Sequence, residues 1–171
     1  MDDVRASAKR LGMKHDDYAD IPPSEFEIRA LFEGDETLGI ILKGHLYIEH
    51  FLALLLSTVP GIQEAEAFEL RFAQKIDRAA RAGLIPADET SVYTRINRIR
   101  NRFAHQPRSY LSEDDADAIW KALSPRMIDR FANVGRLGPD DFDLPLDVFK
   151  GCIVVMCAIL ETTLESRRET Q

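Results

Sequence analysis

The sequence predicts an all-α protein, a helical bundle of about five to six helices. Two observations lead to this prediction. Apolar residues recur at the three- and four-residue spacing of helices, and no stretch alternates as a strand would. Glycine and proline, with 9 and 8 of the 171 residues, fall mostly between the periodic segments.

The helices follow one another with short breaks. A polar arm, residues 1–23, is predicted to precede a single helical domain, residues 24–171. Ser24 and Glu27 resemble a capping box, which starts a short helix that ends near Phe32. The other helices are predicted over residues 36–58, 65–82, 88–103, 112–123, 125–134 and 145–165.

Each predicted helix has an apolar stripe that can face a core. The helix over residues 36–58 is apolar around much of its circumference, so we predict a central helix with neighbours on more than one side. The next segment is predicted as one continuous helix that ends at Gly83. Its stripe consists of Phe68, Phe72, Ile76 and Ala79. Ser112 is predicted to cap the helix that Ile119 and Trp120 anchor.

Composition narrows the function. The formal net charge of -7 argues against a general nucleic-acid coating protein, because sequence-independent binding requires a phosphate-neutralising surface. The apolar run over residues 152–160 is too short to span a bilayer, so no membrane association is expected. Cys152 and Cys157 lie on one predicted helix with diverging side chains, which favours free thiols and a reducing cytoplasm. No metal site and no cofactor are expected.

The most informative residues are 100–105, at the end of the fourth long helix. Arg100 supplies a permanent planar cation that suits phosphate, and His105 supplies a side chain that titrates near neutral pH. Together they could attack a phosphodiester without a metal. Arg98 and Arg102 flank the pair and are predicted to hold RNA phosphates.

Helix geometry complicates this prediction. At about 100° per residue, Arg100 and His105 point roughly 140° apart on a regular helix. Either the backbone departs from the helix near Ala104, which Pro107 would favour, or a second protomer supplies the complementary residue.

A polar pair, His45 and Glu49, interrupts the apolar surface of the central helix. In one interpretation the pair is a satisfied part of the core, with Glu49 binding Arg100. In the other, Glu49 lies in an active cleft, where it orients Arg100 or His105.

The pattern Arg100-Asn101-x-x-x-His105 resembles the Arg-x4-6-His motif of the HEPN superfamily. The amino-acid sequence of residues 96–105 is similar to that of the corresponding segment in the mannitol operon repressor-like branch and related bacterial proteins. Residues 44–49, with Tyr47 between the glycine and the glutamate, match the second-helix pattern of that branch. His45, Tyr47 and Glu49 are therefore predicted as supporting residues.

The resemblance implies a homodimer in which the motif-bearing helices lie near the two-fold axis. It also implies a metal-independent endoribonuclease that leaves a 2′,3′-cyclic phosphate, as in toxin or defence proteins. His105 would move the proton, Arg100 would stabilise the phosphorane, and Asn101 would position either the phosphate or the histidine. The alternative is a non-enzymatic regulator that acts through a protein partner without binding DNA, in which the motif is structural.

Overall fold

The computed structural model describes residues 37–106, 109–135 and 145–170. In these ranges the chain forms seven α-helices and one 3₁₀ turn, with no strand, which confirms the all-α prediction. The predicted arm over residues 1–23, the short helix that starts at Ser24 and the loop over residues 136–144 lie outside the described residues.

In chain order the helices are α1 (Thr37–Ser57), α2 (Glu64–Glu69), α3 (Phe72–Arg81), α4 (Thr90–His105), α5 (Glu113–Trp120), α6 (Pro125–Gly135) and α7 (Pro145–Glu169). The 3₁₀ turn, Ala87–Glu89, leads directly into α4. Ser112 caps α5 as predicted, since its hydroxyl accepts a hydrogen bond from the Asp115 amide at 3.2 Å.

Helix α1 is the centre of the bundle, as its apolar circumference predicts. It packs against α2, α3, α4 and α7, and α7 packs in turn against α5 and α6. By length and composition alone α1 would also pass as a membrane span, but 56% of that window is buried inside the protein. A core helix has the same properties, so this is weak evidence for a membrane.

The prediction of one continuous helix over residues 65–82 is wrong. Leu70 and Arg71 adopt extended backbone, with ψ of 142° and 149°, and divide the segment into α2 and α3. Phe68 consequently leaves the predicted stripe and is 40% exposed. Neither glycine nor proline marks the break. Its carbonyl groups are bound instead by Lys75, which donates to Phe68 O at 3.0 Å and to Leu70 O at 2.7 Å.

Helices α1 and α7 approach each other closely at Gly44. A Cβ atom at this position would lie 2.9 Å from Cγ1 of Ile153, closer than side chains tolerate. On α7, Cys152 and Cys157 are buried free thiols, as predicted. Burial raises the pKa of both, so neither forms a thiolate readily at neutral pH.

A buried carboxylate connects the start of α4 to α6. Glu89 is 1% exposed, and it accepts hydrogen bonds from Ser124 Oγ at 2.8 Å and from Arg126 at 3.0 and 2.9 Å. Glu89 therefore holds the 3₁₀ turn, and with it the beginning of α4, against the N-terminus of α6.

Candidate functional site

The motif lies on the last two turns of α4, and the helix stays regular to His105. The Gln106 amide still donates to Arg102 O at 2.9 Å, so of the two alternatives the departure of the backbone near Ala104 is wrong. Arg100 is half-buried and His105 is exposed. A regular helix turns their side chains roughly 140° apart. One chain therefore does not bring Arg100 and His105 to a common point.

Arg100 makes its hydrogen bond within the motif itself. Its Nη1 donates to Oδ1 of Asn101 at 3.0 Å. Among the residues that the structure describes, no carboxylate lies within ion-pair distance of Arg100. The guanidinium charge is therefore not neutralised by the described part of the chain.

The interpretation in which Glu49 binds Arg100 is wrong. Glu49 Oε1 accepts instead from Nζ of Lys75 at 2.9 Å. Lys75 has 1% of its surface exposed and the Glu49 side chain 27%, so the ammonium is withdrawn from water while the carboxylate stays partly accessible. Glu49 thus binds a different cation, Lys75 on α3.

His45 is at the centre of the contact between α1 and α4. It is 2% exposed, and its ring lies 4.2 Å from that of Phe72. Its Nε2 lies 3.2 Å from Oδ1 of Asn97, and since Oδ1 only accepts, Nε2 carries the proton. The other nitrogen, Nδ1, is buried 3.7 Å from Glu49 Oε2, and no described group is within hydrogen-bond distance of it.

Burial makes His45 hard to protonate. Desolvation is the largest influence and lowers the pKa of His45 below its usual value of 6.5. Glu49 and Asn97 act in the opposite direction, while Arg100 and Lys75 add to the lowering. The imidazole of His45 is therefore neutral at physiological pH.

The two flanking arginines are in different situations. Arg98 is exposed, and the described residues give its side chain no hydrogen bond or ion pair. Arg102 donates to both carboxylate oxygens of Asp115 and to Tyr110 O. Tyr47 is half-buried against the core. The roles predicted for Arg98, Arg102 and Tyr47 stay predictions. Of the two arginines, only Arg98 could bind a phosphate without first giving up a protein partner, because Arg102 is bound to Asp115.

Sequence reasoning missed Lys75 and Asn97. Lys75 stands on the apolar stripe of α3, three residues after Phe72 and four before Ala79, where a charged residue must find a buried partner. That position was a usable signal. Asn97 lies three residues before Arg100, but its choice of His45 as a partner depends on how α4 rotates against α1, which the sequence does not give.

Within the described ranges, no group of three or more histidine, cysteine or acidic side chains is placed to hold a metal ion. Comparison of the chain with family models, curated proteins and solved structures gave no match.

Proposed function

We propose that this protein is a HEPN-type homodimer that acts on RNA as a metal-independent endoribonuclease, of the toxin or defence type, in the cytoplasm. The observation that carries the proposal is the state of Arg100. Its guanidinium is partly accessible and hydrogen-bonded to Asn101, and no described carboxylate neutralises it. A buried ion pair with Glu49 would have made the motif structural, and Glu49 binds Lys75 instead.

The regular end of α4 favours a composite site. Because Arg100 and His105 point away from each other on one helix, cleavage requires the arginine of one protomer and the histidine of its partner. In a symmetric dimer with α4 next to the two-fold axis, each cleft would receive one residue from each chain. The exposed position of His105 leaves it accessible for this role.

The chemistry in such a cleft is acid–base catalysis at a phosphodiester. His105 takes the proton of the ribose 2′-hydroxyl or returns one to the leaving 5′-oxygen. Arg100 stabilises the charge that develops on the phosphorane, and its hydrogen bond to Asn101 limits its rotamers. Arg98 provides further charge for the RNA backbone, and Arg102 does so only after leaving Asp115.

Cleavage of single-stranded RNA in EDTA tests the proposal. Wild type is expected to produce 2′,3′-cyclic ends, and Arg100→Ala and His105→Ala are each expected to lose about 10² or more of the rate. Arg95→Ala on the same helix is the matched control, since Arg95 has no proposed role. An equimolar mixture of the two inactive variants, refolded together, should regain roughly a quarter of wild-type activity, because half of the dimers then contain one intact site of two.

The mixing experiment separates the composite site from a site within one chain. Failure of the mixture to regain activity, with dimers formed, would contradict the composite site. Intact RNA after incubation with folded wild type would contradict the nuclease itself.

The alternative proposal is a non-enzymatic regulator, resembling the mannitol operon repressor, that acts through protein contacts. An antitoxin, by contrast, would be the partner of the nuclease. The observation that favours the regulator is the net charge of -7, which opposes binding to RNA except at a local basic patch. It predicts that wild type leaves RNA intact and that a partner protein co-purifies through the surface around Arg100. Loss of that partner in Arg100→Ala, with unchanged melting temperature, would identify this role. We expect no direct DNA binding in either case.

A further inference from the structure

Lys75 is a buried ammonium group with a complete set of acceptors. Its three N–H donors match Glu49 Oε1 at 2.9 Å, Phe68 O at 3.0 Å and Leu70 O at 2.7 Å. A buried ammonium cannot be solvated by water, so it requires a counter-charge. Glu49 is the carboxylate that supplies it within the described part of the chain. The negative charge of Glu49 therefore neutralises the ammonium group of Lys75 on α3.

Arg100 lies in the same neighbourhood on α4. Asn97, three residues before Arg100, binds His45, and His45 lies four residues before Glu49 on α1. Glu49 and Arg100 both act electrostatically on the His45 imidazole, in opposite directions. Even so, Arg100 bonds to Asn101 and not to Glu49. Arg100 is partly accessible, so its guanidinium can be hydrated, whereas the buried Lys75 ammonium cannot, and the lysine therefore competes better for the carboxylate.

We infer that Lys75 is a positioning residue, which holds the Glu49 carboxylate away from Arg100 and so leaves the Arg100 guanidinium available to an anionic ligand. The competition of Lys75 and Arg100 for the Glu49 carboxylate is independent of any ligand. The binding of an RNA phosphate by the unpaired Arg100 guanidinium rests on the proposed function. The two parts are tested by different measurements.

The competition is tested by melting temperatures. Lys75→Gln removes the charge and keeps an amide that can donate to the carbonyls of Phe68 and Leu70. In wild type, Arg100→Gln should lower Tm by the same amount with or without Glu49→Gln. In the Lys75→Gln background, Arg100→Gln should lower Tm by about 3 °C more when Glu49 is present, because the two are then paired. Lys75→Arg, which keeps the cation, is the control and should show no such coupling.

A second measurement requires no variant at Lys75. The NMR signals of the Arg100 guanidinium and the Lys75 ammonium are compared between wild type and Glu49→Gln. The ammonium signal is expected to move and the guanidinium signal to stay. A larger shift at Arg100 than at Lys75, or equal Tm losses for Arg100→Gln in every background, would overturn the inference.

The ligand half is tested with RNA. Lys75→Gln should cleave about 10-fold more slowly than wild type, and adding Glu49→Gln should restore most of the rate, because no carboxylate then captures Arg100. Structural damage at Lys75 would not be repaired by the second substitution, so a rate that stays low in the folded double variant overturns this half. Wild type that cleaves no RNA overturns the proposed function, and the melting temperatures still decide the competition.

Discussion

Asp115 binds Arg102 through both carboxylate oxygens, with Nη1–Oδ1 and Nη2–Oδ2 distances of 3.1 and 2.5 Å. Oδ2 of Asp115 also accepts from the Ser112 amide at 3.0 Å. The carboxylate therefore caps α5 and fastens the last turn of α4, where the motif lies, to it. Burial alone would favour the neutral acid, but the hydrogen bonds from Arg102 and Ser112 together outweigh it and lower the pKa of Asp115.

Asp115→Asn is expected to destabilise the protein by about 1 kcal/mol at neutral pH, a modest value because a third of Arg102 is exposed. A pKa below the usual 3.8 means that the carboxylate stabilises the fold above that pH, and that this stabilisation is lost as the pH falls through the folded value. Urea unfolding of both proteins at neutral and acidic pH measures the difference. Asp117→Asn, whose partner Lys121 is exposed, is the control and should change little. A difference that persists in acid would contradict the assignment.

Arg126→Met is expected to destabilise the protein by about 2 kcal/mol, because it leaves the Glu89 carboxylate buried without its cation. The expected loss of stability is smaller than for a fully buried ion pair because half of the Arg126 side chain is exposed. Adding Glu89→Gln to Arg126→Met should recover part of the stability, as the amide can still accept from Ser124. Chemical denaturation of the three variants measures this, and additive losses would count against the pair.

His45→Gln is expected to remove a pH-dependent part of the stability. The lowered pKa of His45 means that the folded state resists protonation, whereas the unfolded chain takes up a proton near 6.5. The imidazole therefore contributes stability above 6.5, and this contribution falls as the pH drops from 6.5 towards the folded pKa. Unfolding free energies of wild type and variant, compared between about pH 7.5 and pH 5, should converge as the pH falls. Parallel curves would refute the assignment.

Gly44→Ala is expected to cost about 1–3 kcal/mol, because the new methyl group would collide with Ile153. Ile153→Ala removes the side chain that it would meet, and by itself leaves a cavity. The double variant should therefore be less destabilised than the sum of the two single variants. Thermal unfolding of the three proteins provides the measurement, and simple additivity would show that the helices do not meet at this point.

The sequence alone predicts the helix boundaries that are marked by a local signal. Gly83 adopts positive φ (66°) after α3, and Ser112 caps α5, so both boundaries could be read directly. The break at Leu70 and Arg71 has no such signal, because it depends on the side chain of Lys75 folding back onto the carbonyl groups of Phe68 and Leu70. Buried polar residues were foreseeable only in part. Glu89 precedes Val92, Tyr93 and Ile96 on one stripe, yet its partner Arg126 is set by tertiary packing.

The candidate site shows the same limit. The sequence identifies Arg100 and His105 by type and spacing, and helix periodicity correctly predicts that they diverge. The sequence could not show which cation Glu49 binds. Lys75 on α3 and Arg100 on α4 compete for this carboxylate, and the difference in their burial decides the outcome.

Gly44 immediately precedes His45, so the turn of α1 that rests on Ile153 is also the turn that offers the imidazole to Asn97. The packing of α1 on α7 at Gly44 therefore also affects how His45 meets Asn97, three residues before Arg100 on α4. Positions 44 and 153, neither of which carries a polar side-chain atom, thus influence a polar contact of α4. In homologous chains we expect the volumes at these two positions to co-vary, with a larger residue at one accompanied by a smaller residue at the other.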